Sequence, residues 1–67
     1  MDPATPLSAN LQRIRVQRGW SYDDASAATG LDAEVLRGIE HGSTFISSVT
    51  VDHLAERLGV HRRELTG

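Results

Sequence analysis

Apolar residues recur along the chain at helical spacing, without the strict alternation that marks a half-buried strand. Leu7, Leu11 and Ile14 fall at positions i, i+4 and i+7, which places them in one stripe on a helix that Gly19 can end. The same periodicity returns from Val51 to Leu58, on a helix that is expected to begin near Ser47 or Ser48 and to stop at another glycine. The pattern therefore predicts a protein whose elements are helices.

Residues typical of helix starts and ends divide the middle of the chain into two short helices. Ser21 and Asp24 have the spacing of a capping box at the start of helix 2, and Gly30 can close that helix. Asp32 is then expected to cap helix 3, whose inward side chains would be Ile39 and either Val35 or Leu36. Because a short turn containing glycine joins the two helices, the pair has the form of a helix-turn-helix.

The whole chain predicts an all-α fold, a compact domain of five short helices over residues 7–67. Residues 1–6, with the sequence MDPATP, are expected to form a flexible N-terminal arm. The last helix fits the segment HRRELTG. In the loop before helix 4, Phe45 and Ile46 are expected to cover the edge of the core.

Composition excludes several classes of protein. The chain has no cysteine, and its three histidines lack metal-ligand spacing, so we expect no metal and no cofactor. There is no glycine-rich phosphate loop and no nucleophile elbow, which argues against an enzyme. No apolar run approaches the roughly 20 residues of a membrane span, and no signal peptide is visible. We therefore expect a cytoplasmic protein that does not contact membranes.

The charge limits the kind of nucleic-acid binding that the chain can support. A net charge of −2 argues against sequence-independent binding, whose affinity comes from cations that replace phosphate counterions. All seven cationic residues are arginine, the side chain best suited to bidentate pairing with guanine or phosphate. Any DNA binding is therefore expected to be local and geometric.

Three segments, IRVQRGWS, ATGLDAEVLRGIEHG and VDHLAERLGV, resemble the lambda-repressor-like, or Cro/XRE-type, helix-turn-helix family in their order and intervals. The resemblance runs from about Leu11 to Leu65. It implies a sequence-specific DNA-binding transcriptional regulator of the small phage or bacterial type, such as a repressor, whose helix 3 binds double-stranded operator DNA. It also implies a homodimer, for which Val60 and Leu65 near helix 5 are the candidate contacts.

The resemblance assigns the base-reading positions of helix 3 to Ala33, Glu34, Arg37 and Gly38. Arg37 can pair with O6 and N7 of guanine, and Glu34 can accept from N4 of cytosine. A second interpretation of Glu34 stays open, namely a solvated side chain three positions before Arg37 on the same helix face.

The resemblance also assigns phosphate contacts and one structural ion pair. The candidate phosphate contacts are Arg18, Ser21, Tyr22, Ser43 and Thr44. A second interpretation of Arg18 stays open, namely a solvated cation that the dipole favours near the end of helix 1. Tyr22 stands where many relatives have a glutamine that bonds to phosphate, and its hydroxyl can make a similar contact. Arg15 and Glu40 match a pair that the family commonly forms, and a charge beside the core is tolerated only when it is paired.

A second function stays open because helix 3 carries three acids and one arginine. The helix-turn-helix fold can also serve as a protein-protein interaction module, such as an adaptor, an anti-regulator or an antitoxin. A positive rim of Arg13, Arg18 and Arg37 would favour DNA, whereas a negative surface across helix 3 would favour a protein partner.

Overall fold

The structure is a computed structural model that describes residues 6–66. Its helices are α1 (Pro6–Gln17), α2 (Tyr22–Thr29), α3 (Ala33–Glu40), α4 (Ser48–Leu58) and α5 (Arg63–Thr66). The predicted all-α class with five helices is confirmed, and residues 6–66 contain no strand. The expected N-terminal arm lies, except for Pro6, outside the described residues.

All five helices contribute apolar side chains to one core. Its buried members are Leu11, Ile14, Ala25, Leu36, Ile39, Val51, Leu54, Ala55, Leu58 and Leu65. Leu65 is 0% exposed, because α5 packs against α1 and Asn10 Nδ2 donates to the Leu65 carbonyl at 2.8 Å. The expected role of Leu65 in a subunit contact is therefore wrong for this conformation, since no atom of it reaches the surface. Val60 is half-buried against the same core.

The two helices of the helix-turn-helix begin differently. At the start of α2, Ser21 Oγ accepts from the Asp24 amide at 3.1 Å, and Asp24 Oδ2 accepts from the Ser21 amide at 3.0 Å. Gly30 closes α2 with a φ of 80°, a conformation that favours glycine. Asp32 occupies the N-cap position of α3, but its side chain accepts no capping hydrogen bond. The expected amide bonds to its carboxylate are therefore not formed.

Side chains of α4 hold the C-terminal end of α2. The ring Nε2 of His53 lies 2.8 Å from the Thr29 carbonyl, and Arg57 Nε donates to the Ala28 carbonyl at 3.2 Å. The last carbonyls of α2 thereby gain partners that the helix itself does not supply. This support fixes α2, and with it the turn into α3.

The loop between α3 and α4 turns its two large apolar residues in different directions. Ile46 packs against the core, whereas Phe45 is 89% exposed. The expectation that both residues cover the core edge is therefore wrong for Phe45, because Ile46 already fills that place. None of the helices within residues 6–66 has the length and hydropathy needed to cross a bilayer.

Candidate nucleic-acid interface

The third helix has one face in the core and one in solvent. Leu36 and Ile39 are each 1% exposed, and they anchor α3 against the other helices. Glu34 and Arg37 are exposed on the other side, and Ala33 is half-buried at the first position of the helix. The helix therefore presents a short exposed ridge, as a helix that enters a groove must do.

Glu40 is withdrawn from that ridge by Arg15. Arg15 Nε donates to Glu40 Oε2 at 2.7 Å and Arg15 Nη2 donates to Glu40 Oε1 at 3.1 Å, which makes the pair bidentate. The side chain of Glu40 is 1% exposed. The hydrogen bond to Glu40 raises the pKa of Arg15, since it favours the charged guanidinium. The acid of Glu40 is thus internal and compensated.

Tyr22 joins this pair through its hydroxyl. The Tyr22 hydroxyl donates to Glu40 Oε1 at 3.1 Å, and partial burial together with this bond raises the pKa of Tyr22. Two guanidinium groups lie over its ring, Arg15 at 4.3 Å and Arg37 at 5.3 Å from the ring centroid. The hydroxyl proton is therefore directed into the protein and not toward solvent, where a phosphate would lie.

Arg37 differs from the other arginines in its hydrogen bonds. Six of the seven arginines donate to acceptors of the protein; they are Arg13, Arg15, Arg18, Arg57, Arg62 and Arg63. Within residues 6–66, the guanidinium of Arg37 forms no hydrogen bond and no ion pair, and it lies over the Tyr22 ring. Its side chain is exposed on α3. All five guanidinium N–H groups of Arg37 are therefore available to an external acceptor.

Gly38 lies beneath the loop that follows α3. The amides of Ser43 and Thr44 donate to the Gly38 carbonyl at 2.9 and 3.2 Å, and Ser43 Oγ donates to it at 3.3 Å. A Cβ added to Gly38 would overlap Thr44 Oγ1. Gly38 therefore permits the close approach of this loop, a packing role that its place among the candidate base-reading residues did not indicate.

The remaining candidate phosphate contacts are partly engaged. Arg18 Nη2 donates to the Leu58 carbonyl at 2.9 Å, and the Arg18 guanidinium lies 5.1 Å from the centroid of the Trp20 ring. The hydroxyl of Ser21 serves the cap of α2. The part of the chain that the structure describes places no three histidines or carboxylates together as a metal site.

Sequence reasoning missed two contacts at this site, the Tyr22 ring beneath Arg37 and the loop above Gly38. Tyr22 and Arg37 lie on different helices, so no local spacing reports their approach. The glycine offered a weak signal, because a glycine inside a short helix lowers helix propensity and commonly has a packing reason.

This geometry, two short helices joined by a tight turn with the second one exposed, defines a helix-turn-helix protein. The model of the helix-turn-helix domain family matches residues 6–66, and the chain belongs to that family.

Among its relatives is the uncharacterized HTH-type transcriptional regulator y4dJ of Sinorhizobium fredii (strain NBRC 101917 / NGR234). It is 29% identical over 65 residues, which are 97% of this chain and 84% of the relative.

Two solved structures share the fold. The restriction-modification controller protein C.AhdI from Aeromonas hydrophila has a TM-score of 0.81 at 30% identity, with 91% of this chain and 92% of that chain covered. The hypothetical transcription factor NHTF from Neisseria has a TM-score of 0.86 at 27% identity, with 98% and 76% covered. Together with the family match, these likenesses identify the chain as a DNA-binding transcriptional regulator.

Proposed function

We propose that this regulator reads an operator by placing α3 in the major groove, with Arg37 as its main contact to guanine. The observation that carries the proposal is the exposed guanidinium of Arg37, which donates no hydrogen bond within residues 6–66. The major groove is about 12 Å wide and admits a helix, and arginine fits O6 and N7 of guanine with two parallel hydrogen bonds. The protein acts by binding alone, without catalysis or a cofactor.

Glu34 and Ala33 supply the neighbouring base contacts in this proposal. Glu34 is exposed and forms no ion pair with Arg37, which supports a contact with N4 of cytosine over a pair on the helix surface. Ala33, at the first position of α3, has the size for apolar contact with a thymine methyl group. Gly38 is not among the proposed base contacts, because Thr44 lies over it.

Few cations anchor the DNA backbone in this arrangement. Arg18 keeps donors beyond the one given to Leu58, and the exposed Ser21, whose Oγ accepts from the Asp24 amide, keeps its hydroxyl proton for a phosphate. Neutral donors position a protein on phosphates without releasing counterions. The affinity for operator DNA is therefore expected to fall less steeply with salt than that of a basic relative.

The test is selection of bound fragments from a random DNA library at about 50 and 200 mM salt, where the counterion contribution differs. Arg37→Ala should lose the preference for one G·C pair, at a cost of about 1–3 kcal/mol in discrimination. The control is Arg63→Ala, an exposed arginine of α5 outside the helix-turn-helix, which should select the parent sequence. An unchanged sequence from Arg37→Ala would refute the reading role.

We further propose that two copies bind an inverted repeat as a homodimer. One module contacts only a few bases, so pairing two modules is the usual route to specificity. Two large apolar residues, Phe45 (89% exposed) and Val49 (77% exposed), lie within five positions of each other. Phe45 also borders a groove of about 260 Å³ whose lining includes Leu7 and Ile46. A second copy would cover this apolar surface, which replaces Leu65 as the candidate contact.

The dimer is tested by sedimentation equilibrium of the unaltered protein, of Phe45→Ser and of a matched control. Val16→Ser is the control, because Val16 is another exposed apolar residue (60%) but lies on α1. Phe45→Ser should shift the equilibrium toward monomer, and Val16→Ser should leave it unchanged. Equal dissociation constants for all three proteins would place the contact elsewhere.

A further inference from the structure

The long side chain of Arg37 has many rotamers in solution, and binding one base requires that it be held in few of them. The guanidinium lies over the Tyr22 ring, 5.3 Å from the centroid, within the range of a cation–π attraction. We infer that Tyr22 is a positioning residue, which holds Arg37 in a narrow set of orientations before DNA arrives. The inference rests on the proposed function, because it assumes that Arg37 reads a base.

The ring can do this because it packs, half-buried, against the core, and its hydroxyl is held in addition by a buried acid. The Tyr22 hydroxyl donates to Glu40 Oε1 at 3.1 Å, and Glu40 is held by two hydrogen bonds from Arg15. Turning the side chain about χ1 would break the hydroxyl bond to a carboxylate that is 1% exposed, which is unfavourable. The contact from Tyr22 on α2 to Arg37 on α3 also spans the turn of the helix-turn-helix.

Charge compensation allows two cations to share this ring. Arg15 lies 4.3 Å from the ring centroid, and an unpaired Arg15 would repel a second guanidinium. Glu40 offsets the charge of Arg15, so that Arg37 meets an aromatic surface whose first cation is already paired. The arrangement is therefore a series of contacts from the buried Glu40 through Tyr22 to the exposed Arg37.

This role differs from that of a phosphate donor, and two substitutions separate the two. Tyr22→Phe removes the hydroxyl and keeps the ring. Tyr22→Leu removes the ring as well. A positioning role predicts that the phenylalanine variant supports base discrimination and the leucine variant does not. Loss of a phosphate donor would instead lower affinity for every sequence, equally in both variants.

The experiment measures affinity for the selected operator and for the same operator with the base pair of Arg37 replaced. Tyr22→Leu should reduce the discrimination between the two by about two- to fivefold, the strength of an exposed cation–π contact, while Tyr22→Phe keeps it. In an Arg37→Ala background, Tyr22→Leu should cause no further loss. The control is Trp20→Leu, which removes the ring beneath Arg18 and should leave discrimination unchanged.

Nuclear magnetic resonance of the free protein gives a second measurement that does not depend on DNA. Tyr22 is the one tyrosine of the sequence, and its ring should shift the δ protons of Arg37 upfield, in the parent and in Tyr22→Phe but not in Tyr22→Leu. This measurement on the parent and on Tyr22→Phe still decides if Tyr22→Leu fails to fold.

The outcomes distinguish the inference from the function beneath it. If Arg37→Ala selects the parent operator, the reading role fails and the positioning role fails with it. If Arg37→Ala loses the base preference, the reading role stands. The positioning role is still overturned if the δ protons of Arg37 in the parent show no ring-current shift, or if the effects of Tyr22→Leu and Arg37→Ala on discrimination are additive. Equal losses of affinity for both operators in Tyr22→Phe and Tyr22→Leu, with discrimination unchanged, would overturn the positioning role and make Tyr22 a phosphate donor instead.

Discussion

Two ion pairs of equal length allow a direct test of what burial adds to a charge pair. Glu40 accepts from Arg15 at 2.7 Å, and Asp52 accepts from Arg62 at 2.7 Å. The side chains of the first pair are 1% and 14% exposed, whereas those of the second are 61% and 43% exposed. We expect Glu40→Gln to destabilise the fold strongly and Asp52→Asn to have little effect.

The magnitude follows from the partners that each change leaves behind. Glu40 receives three hydrogen bonds, two from Arg15 and one from Tyr22. In Glu40→Gln, the new amide group would turn its own N–H donors toward at least one of these donors and leave the Arg15 charge uncompensated. Breaking a buried pair costs about 3–5 kcal/mol, whereas an exposed pair contributes about 0–1 kcal/mol. At about 4–8 °C per kcal/mol in a domain of this size, Glu40→Gln should lower Tm by at least about 12 °C.

The assay is urea unfolding followed by the fluorescence of Trp20, the one tryptophan of the chain, and by circular dichroism. The slope with urea should be unchanged, since neither substitution alters the surface exposed on unfolding. The double variant Arg15→Met/Glu40→Leu should recover part of the loss, because apolar replacement removes the need for compensation. Equal effects of Glu40→Gln and Asp52→Asn would refute the reasoning.

Three further predictions follow from the described contacts. Gly38→Ala should lower Tm although alanine favours helices, because the added Cβ meets Thr44 Oγ1. Adding Thr44→Gly should restore stability, and a higher Tm in Gly38→Ala alone would contradict this prediction. Ser21→Ala should lower the free energy of unfolding by about 1 kcal/mol, and Asp32→Ala should lower it by less, since only the Ser21 side chain accepts a capping bond. Denaturant melts of the two variants compare these free energies. The pKa of Tyr22 is raised in the folded protein. The hydroxyl therefore contributes fully to stability below its ordinary pKa of about 10, and this contribution is lost as pH rises through the higher folded value. Melts across that pH window should show the loss in the parent and not in Tyr22→Phe.

The sequence predicts those parts of the fold that depend on neighbours along the chain. The capping box of Ser21 and the glycine that closes α2 act within one helical turn, so their spacing alone identifies them. Helical periodicity also predicts Ile39 as an inward residue of α3, and Ile39 is buried; it left Val35 or Leu36 open, and packing buries Leu36. Local geometry therefore determined the five helices and their order.

The parts that sequence could not predict are those decided by packing between distant segments. Phe45 and Ile46 are adjacent and similarly apolar, and only the space left by the other helices decides which one faces the core. Leu65 is enclosed because Asn10, 55 positions earlier, holds the end of α5 against α1. The contact of Tyr22 with Arg37 likewise exists only once α2 and α3 are folded together.

The acidity of α3 and its N-cap is compatible with DNA binding because the three acids have different environments. Glu40 is buried and paired, and it fixes the ring over which Arg37 lies. Asp32 and Glu34 remain exposed, and both repel phosphates at any sequence. Repulsion of this kind weakens binding to all DNA equally, whereas the base contacts that we propose for Arg37 and Glu34 are gained only at the correct base pairs. In the proposed arrangement, an acidic recognition helix with one positioned arginine therefore lowers non-specific affinity while it keeps the difference between right and wrong sites, on which selection of an operator depends.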